Sequence, residues 1–175
     1  MINTLEQYID PTYVYRFTHG PNIVDTREAA LRKGINCVSL AHLALKDLFE
    51  YSLPADLLCS ELYNDREHFR SVAKSETTQT GDLVWFGLEN PKTEIAEFVP
   101  QYRDGELLNW LDYPIKHVAI HTGERDKQGD YLLLHSTSIV GTNTIWPLRR
   151  FANYERYRKL YGFTRLKRAD QQGAR

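Results

Sequence analysis

The spacing of apolar residues changes along the chain, from a helical pattern in the first half to a strand-like alternation in the second. Residues 37–49 are apolar on most sides, which is typical of a buried central helix, and Asn36 just before them is a suitable N-cap. A capping box of Asp25 with Glu28 predicts another helix over 26–33. Two shorter helices are also expected, one that Thr4 caps and that ends near residue 9, and one over about 55–63.

Strand patterns begin after residue 80. Strands are predicted at 82–86 and at about 116–121, 130–135, 142–146 and 157–166. Residues 88–115 contain scattered prolines and are interpreted as a long insertion, with one extra strand near 94–99. Helices first and strands second indicate an α+β fold in which N-terminal helices pack on a five- to six-stranded antiparallel sheet.

Composition and charge limit the classes of protein to which the chain can belong. Its 175 residues suffice for one domain over 1–175, with a flexible tail expected over 167–175. No stretch comes near the roughly 20 apolar residues of a membrane span. A formal net charge of −1 gives no electrostatic reason to expect a nucleic acid as partner. Two cysteines provide no disulfide framework, and the oligomeric state stays open.

The N-terminal residues give an expectation for the cellular compartment of the protein. Residues 1–7 have neither a charged n-region nor an apolar h-region, so they are not interpreted as a secretory signal peptide. A cytoplasmic location is therefore expected, where a free thiol also survives best. Export by a route that needs no signal peptide is the alternative.

Cys37 is the strongest candidate for chemistry. It falls at the first turn of the predicted central helix, where unpaired N–H groups and positive potential stabilise a thiolate. Two histidines, His117 and His135, lie on strand-like segments further along the chain. One cysteine that opens a helix and two histidines on later strands are the parts of a papain-like site, so acyl-transfer chemistry at a thiol is expected. Cys59 has no such setting and is interpreted as structural.

His121 lies four residues after His117, a spacing that would suit a zinc pair on a helix. The alternation of Val118 and Ile120 instead predicts a strand, on which four residues span roughly 13 Å. That span is too large for two ligands of one zinc ion, whose nitrogens lie roughly 3–4 Å apart. His135 follows an apolar run and needs a polar partner. The ring of His117 can be that partner, and His135 can then fix its tautomer.

Four motifs occur in a specific order: residues 36–40 (Asn-Cys-Val-Ser-Leu), 81–86 (Gly-Asp-Leu-Val-Trp-Phe), 117–120 (His-Val-Ala-Ile) and His135. In that order they resemble the NlpC family of papain-like cysteine peptidases, whose members cut peptides in bacterial cell walls. The resemblance covers about residues 13–166. It implies a papain-like fold, and it implies neither a metal nor a cofactor.

The resemblance also implies substrate-binding residues beside the cysteine. Tyr15, with Tyr13 as the alternative, is the nearest match to a tyrosine that lines the family's site. Asn36 and Val38 stand where the family has an Asp and a Ser, which help to recognise the free amine and the γ-D-glutamyl carboxylate of cell-wall peptides. Neither replacement can make the same contacts, because Asn carries no charge and Val forms no hydrogen bond.

These residues together predict a cysteine hydrolase that cleaves an amide bond in a peptide, with a peptidoglycan-derived peptide or muropeptide as the implied substrate. Cys37 would be the nucleophile, His117 the general base and His135 the residue that orients His117. Three alternatives stay open: a cysteine acyltransferase or thioesterase on the same fold, a catalytically inactive binding module, and a zinc site formed by the same three side chains.

Overall fold

Three of the four helices in the described residues precede the first strand. The computed structural model describes residues 5–17, 24–53, 58–104 and 106–168. The helices are α1 (Arg27–Lys33), α2 (Cys37–Phe49), α3 (Cys59–Asn64) and α4 (Leu148–Phe151). The strands are β1 (Phe69–Ser71), β2 (Leu83–Gly87), β3 (Tyr102–Arg103), β4 (Glu106–Leu107), β5 (Ile115–Arg125), β6 (Tyr131–Thr137), β7 (Thr142–Pro147) and β8 (Lys159–Leu166).

Six of the strands form one sheet, in the order β1-β8-β2-β5-β6-β7. Every neighbouring pair in it is antiparallel, and β3 and β4 form a separate antiparallel pair. The α+β class and the antiparallel sheet predicted from the change in pattern are therefore confirmed. Within the described residues, no helix combines the length and the apolar character needed to cross a membrane.

Helix α2 is buried because nearly all of its sides are apolar. Eight consecutive residues, from Val38 to Leu45, are buried. The helix packs on one face of the sheet, where Trp85, Val118 and Ile120 belong to the same apolar cluster. Full burial of one such side chain contributes about 1.5–3 kcal/mol, so this packing fixes α2 against the middle of the sheet.

The opposite face of the sheet carries a second apolar cluster, rich in aromatic residues. Side chains alternate along a strand, so Phe86 projects away from α2 while its neighbour Trp85 projects toward it. Phe86 stacks on Phe151 of α4, with ring centroids 4.1 Å apart, and Trp146 and Tyr157 belong to the same cluster. Rings of this second cluster pack against His117 and His135, the two histidines predicted to act together.

The helix boundaries agree with the sequence patterns at some places and differ at others. α2 covers the predicted residues 37–49. The cap of α1 is Thr26 rather than Asp25, since the Thr26 hydroxyl accepts a hydrogen bond from the backbone N–H of Ala29 at 3.1 Å. The predictions for Thr4, for 55–57 and for 169–175 lie outside the described residues.

The strand expected near 94–99 is wrong. Ile95–Glu97 forms a turn of 3-10 helix, and the nearest strands are those of the β3–β4 hairpin. Residues 94–99 (Glu-Ile-Ala-Glu-Phe-Val) include β-branched and aromatic residues, but the backbone of a strand also needs a neighbour with which to pair. Strand β1 has no counterpart in the predictions, since three residues at a sheet edge are too few to display a period.

A buried ion pair joins the start of β2 to β8. The Asp82 carboxylate accepts hydrogen bonds from Arg165 Nε at 2.7 Å and from Arg165 Nη2 at 2.8 Å. The two side chains are only 0% and 7% exposed. The backbone N–H of Gln79 donates a further hydrogen bond to Asp82 at 2.9 Å. Such a pair is costly to disrupt, because the remaining charge would stay buried without its partner.

Replacing Arg165 with Met should lower the free energy of unfolding by about 3–5 kcal/mol, because the buried Asp82 carboxylate loses its cation. Urea denaturation of the two proteins measures the difference. The control is Arg149→Met, which removes an exposed ion pair with Asp126 and Asp130 and should cost far less. Equal losses in the two variants would contradict the importance given to the buried pair.

Candidate active site

The first turn of α2 is closed by a reciprocal cap. Asn36 Oδ1 accepts hydrogen bonds from the Ser39 backbone N–H at 2.9 Å and from the Ser39 hydroxyl at 2.8 Å. Ser39 Oγ in turn accepts from the Asn36 backbone N–H at 3.3 Å. This capping box makes Cys37 the first residue of the helix. The backbone N–H of Cys37 therefore has no acceptor inside the helix, and its side chain lies at the positive end of the helix dipole.

Ile35, which precedes the cap, is hydrogen-bonded on two sides. It exchanges backbone hydrogen bonds with Val14 and Arg16, at 3.0 Å each. Its carbonyl oxygen also accepts a hydrogen bond from Ser136 Oγ of β6 at 3.2 Å. These bonds fix the start of α2 relative to the sheet, and they bring Tyr15 alongside it.

His117 of β5 and His135 of β6 project from the same face of the sheet. The two strands pair Ile120 with Leu134, and because successive side chains alternate, both histidines lie on the face opposite to that pair. His117 Nε2 lies 2.9 Å from His135 Nδ1, and the two rings are nearly perpendicular, at 84°. The fold thus brings together the two histidines that the sequence analysis paired.

Aromatic rings surround His135. Its ring centroid lies 4.4 Å from that of Trp146 and 4.7 Å from that of Phe151. Burial, reinforced by the charges of His117 and Arg150, holds the pKa of His135 well below its usual value, so the ring is neutral. Its Nε2 has no hydrogen-bond partner among the described residues. Its Nδ1 can accept the Nε2–H of His117, which leaves Nδ1 of His117 to exchange protons.

The Cys37 thiol is in contact with a second thiol. Cys59 Sγ lies 3.6 Å from Cys37 Sγ, and the His117 side chain and the backbone N–H of Val118 also act to lower the pKa of Cys37. The contact with Cys59, followed by the charge of His117, holds the pKa of Cys37 well below its usual value against the opposing effect of burial. A thiolate at neutral pH is the form that attacks carbonyl groups.

Cys59 is the site residue that the sequence analysis missed. It opens α3, and its thiol lies against Cys37 instead of in a separate apolar core. The hydrogen bond to Cys37, followed by burial, raises the pKa of Cys59 well above its usual value, so Cys59 is the donor. Glu61 is the sequence signal that could have located the start of this helix, because a Glu at the third helical position is typical of a helix N-terminus. In the structure its carboxylate accepts a hydrogen bond from the Leu58 backbone N–H at 2.8 Å.

A cleft of about 290 Å³ lies in front of Cys37 and His117. The three predicted substrate-binding residues, Tyr15, Asn36 and Val38, all line it, although the side-chain oxygen of Asn36 is already used in the helix cap. Burial and the nearby Cys37 raise the pKa of Tyr15 to about 12, so its phenol remains a donor. Other wall residues include Phe17, Trp110, Lys116, Ser138, Arg156 and Tyr157.

His121 does not line this cleft. Its Nδ1 accepts a hydrogen bond from the Gly123 backbone N–H at 2.9 Å, and its Nε2 lies 3.2 Å from Thr78 Oγ1. Both ring nitrogens therefore serve local structure. Across the part of the chain that the structure describes, no group of three or more His, Cys, Asp or Glu side chains has the arrangement of a metal site.

Neither family models nor curated proteins provide a relative of this chain. The sequence matches no family model, and no curated protein matches it. The resemblance to the NlpC family stays a prediction based on the four motifs. The function has to be inferred from the geometry of the cleft and of the groups in it.

At pH 7 Cys37 should react with iodoacetamide at least about tenfold faster than Cys59 does, because the pKa of Cys37 is lowered and that of Cys59 is raised. Mass spectrometry of the alkylated peptides measures both rates in one sample. A reducing agent is needed throughout, since the two sulfur atoms are in contact. Equal rates at the two thiols would contradict the assignment of Cys37 as the thiolate.

Two variants of the second cysteine serve as a matched control for this measurement. Cys59→Ser keeps a hydrogen-bond donor beside Cys37 and should preserve its fast reaction. Cys59→Ala removes the donor, so the pKa of Cys37 should rise and its reaction at pH 7 should slow. Identical rates in the two variants would show that Cys59 does not stabilise the thiolate.

Proposed function

We propose that this protein is a papain-like cysteine hydrolase of the NlpC type, which cleaves an amide bond in a peptide derived from the cell wall. One arrangement carries the proposal: Cys37 and His117 line the same cleft, the His117 side chain acts to lower the pKa of the Cys37 thiol, and His117 is hydrogen-bonded to His135. A nucleophile, a base and a group that orients the base are what acyl transfer requires. Helices that precede an antiparallel sheet are compatible with that fold type.

In the first half of the proposed reaction, the Cys37 thiolate attacks the carbonyl carbon of the scissile amide. His117, which has taken the thiol proton, returns that proton to the amide nitrogen as the C–N bond breaks. The amine leaves, and the acyl group stays on Cys37 as a thioester. The backbone N–H of Cys37 donates a hydrogen bond to the developing oxyanion, because the helix offers it no other acceptor.

In the second half, His117 removes a proton from water, and the hydroxide attacks the thioester. The C–S bond breaks, the acid is released and the thiolate is restored. His135 acts by position: its Nδ1 accepts from Nε2–H of His117, which keeps Nδ1 of His117 as the nitrogen that exchanges protons. Because His135 is neutral, it fixes this ring without becoming a competing acid.

Transfer of the acyl group to an acceptor other than water is the second candidate function. It shares the first half of the reaction. The observation that favours it is the wall formed by Phe17 and Trp110, whose rings stack with centroids 5.2 Å apart and offer an apolar surface to an acyl chain. The two functions differ in the product that carries the acyl group: a free acid shows that water was the acceptor, and an amide or ester shows that an amine or alcohol was.

Incubation with a digest of peptidoglycan tests the proposal directly. The wild-type protein should convert one peptide into two products whose masses sum to the parent plus one water, and Cys37→Ala should not. Mass spectrometry of both reactions identifies the scissile bond. Products joined to another amine or alcohol would indicate acyl transfer, and identical profiles for the two proteins would rule out a thiol-dependent activity on these peptides.

Replacing His135 with Leu should lower kcat by on the order of 10²-fold or more, because His117 loses the acceptor that fixes its tautomer. His135→Asn should recover part of that loss, since its side-chain oxygen can occupy the position of Nδ1. KM should change little in either variant, because His135 does not line the cleft.

The matched control for this pair is His121→Asn, which should retain most of the wild-type kcat. His121 lies two residues beyond Ala119 on the same face as His117, but its ring bonds to Gly123 and Thr78. Equal losses in His135→Leu and His135→Asn would argue that His135 serves only the packing of the aromatic cluster.

A further inference from the structure

Both cysteines of the chain line the cleft, and their sulfur atoms are in contact. Cys37 opens α2, and Cys59, 22 residues further along the chain, opens α3. The two Sγ atoms lie 3.6 Å apart. Both residues are half-buried, so a small solute in the cleft can reach them. The structure therefore presents a pair of thiols, of which the proposed hydrolysis uses only one as a nucleophile.

Hydrolysis alone gives no reason for a thiol at position 59. A serine hydroxyl there would also donate a hydrogen bond to the Cys37 thiolate, and a thiol is the weaker donor of the two. A hydroxyl resists oxidation and cannot form a disulfide bond, whereas two thiols in contact can be joined by one. The property that Cys59 adds to the cleft is therefore its redox chemistry.

The two thiols are suited to different steps of an oxidation. Cys37 lies at the positive end of the α2 dipole, and the contact with Cys59 holds its pKa well below the usual value. A thiolate is the form that reacts with peroxides. Cys59 keeps its proton, because the same contact and burial raise its pKa well above the usual value. Cys37 is thus suited to react first, and Cys59 to attack the product.

A small movement would join the two sulfur atoms. A disulfide bond holds its sulfur atoms about 2.05 Å apart, so a pair in contact at 3.6 Å has to close by about 1.5 Å. Helix α2 is fixed by its cap and by its burial, whereas α3 has only six residues. We expect Cys59 and the first turn of α3 to make this approach.

We propose that Cys37 and Cys59 form a site of reversible oxidation, at which a hydroperoxide such as hydrogen peroxide converts the two thiols into a disulfide bond within one chain. The proposal goes beyond the proposed hydrolysis, because it needs no peptide substrate. It rests on the contact between the two sulfur atoms and on the cleft in front of them. That cleft, of about 290 Å³, admits a reactant as small as hydrogen peroxide.

In the first step, the Cys37 thiolate attacks one oxygen atom of hydrogen peroxide. A sulfur–oxygen bond forms, the oxygen–oxygen bond breaks, and hydroxide leaves and takes up the proton that the Cys37 thiol had released. Cys37 is then a sulfenic acid. In the second step, the Cys59 sulfur attacks the Cys37 sulfur, and the hydroxyl group leaves as water with the Cys59 proton. The two thiols lose two electrons in all, and the peroxide gains them.

A dithiol reductant reverses the reaction through two thiol–disulfide exchanges. Its first thiolate attacks one sulfur of the pair, and its second releases the mixed disulfide. While the disulfide is present, Cys37 has no thiolate, so the proposed hydrolysis stops. The disulfide also protects Cys37, because a sulfenic acid without a partner thiol is oxidised further to sulfinic and sulfonic acids, which dithiols do not reduce.

The test treats the reduced protein with a small excess of hydrogen peroxide. Catalase ends the reaction, N-ethylmaleimide blocks the remaining thiols, and trypsin digests the protein. Trypsin cleaves after Lys33, Lys46 and Arg66, so the two cysteines fall in separate peptides, 34–46 and 47–66. Mass spectrometry distinguishes linked from unlinked peptides, and non-reducing electrophoresis reports any link between chains.

In the wild-type protein the two peptides should be linked, with a mass two hydrogen atoms below the sum of the reduced peptides, and dithiothreitol should restore both thiols. Three results would overturn the proposal: oxidation of Cys37 with the peptides unlinked, two cysteines that both stay reduced, or links only between different chains. This measurement needs no substitution, so it does not depend on the folding of a variant.

Cys59→Ser is the matched variant, because it replaces one sulfur atom with oxygen. After prolonged treatment, the fraction of Cys37 present as sulfinic or sulfonic acid should be at least about tenfold larger in this variant than in the wild type. Equal fractions would overturn the proposal. In Cys37→Ser, Cys59 should stay reduced over the same time, because burial still raises its pKa. Oxidation of Cys59 at the wild-type rate in that variant would overturn the assignment of Cys37 as the residue that the peroxide attacks.

These measurements do not use hydrolysis, so the two proposals can fail separately. A wild-type protein that links Cys37 to Cys59 reversibly but cleaves no cell-wall peptide would support the oxidation site and contradict the hydrolase. A protein that cleaves these peptides, but whose Cys37 is oxidised without a link to Cys59, would support the hydrolase and overturn the oxidation site.

Discussion

The hydrogen bonds that fix where α2 begins determine the geometry of the whole candidate site. A helix turns by about 100° per residue, so a start shifted by one position would point the Cys37 side chain away from His117. Asn36 and Ser39 prevent that shift by capping each other, and Ile35 is tied to β6 through Ser136. The capping box and the hydrogen bond from Ser136 to Ile35 together fix the position of the Cys37 thiol relative to the sheet.

The two histidines are polar side chains within an aromatic cluster, and the hydrogen bond between their rings stabilises them there. A buried imidazole without a partner would cost free energy, whereas the bond from His117 to His135 satisfies one nitrogen on each ring. Tyr157 stacks on His117 with ring centroids 4.4 Å apart, and Trp146 packs against His135. Close packing on this face limits the rotation of both rings, so their relative orientation follows from the fold.

Local features of this site could be predicted from the sequence, and contacts between elements could not. The start of α2 has a local signal, a capping residue at Asn36 followed by a continuous apolar run, and the strand of His117 follows from alternation. The distance from His117 to His135 depends on the register of β5 and β6, which alternation alone leaves undetermined. The pair was predicted because a buried imidazole needs a polar partner, and the order of the motifs agreed with it. The contact of Cys37 with Cys59 joins two helices whose placement depends on packing, and α3 is too short to display a period.

The three side chains proposed to react lie on packed elements of the fold, whereas part of the cleft wall lies on short turns. Cys37, His117 and His135 belong to a buried helix and to two central strands of the sheet, whereas Trp110 and Arg156 belong to short 3-10 turns between strands. Changes in sequence or length are tolerated far better in such connections than in packed elements. Substitutions in these turns can therefore change what the cleft binds while the arrangement of Cys37, His117 and His135 stays the same.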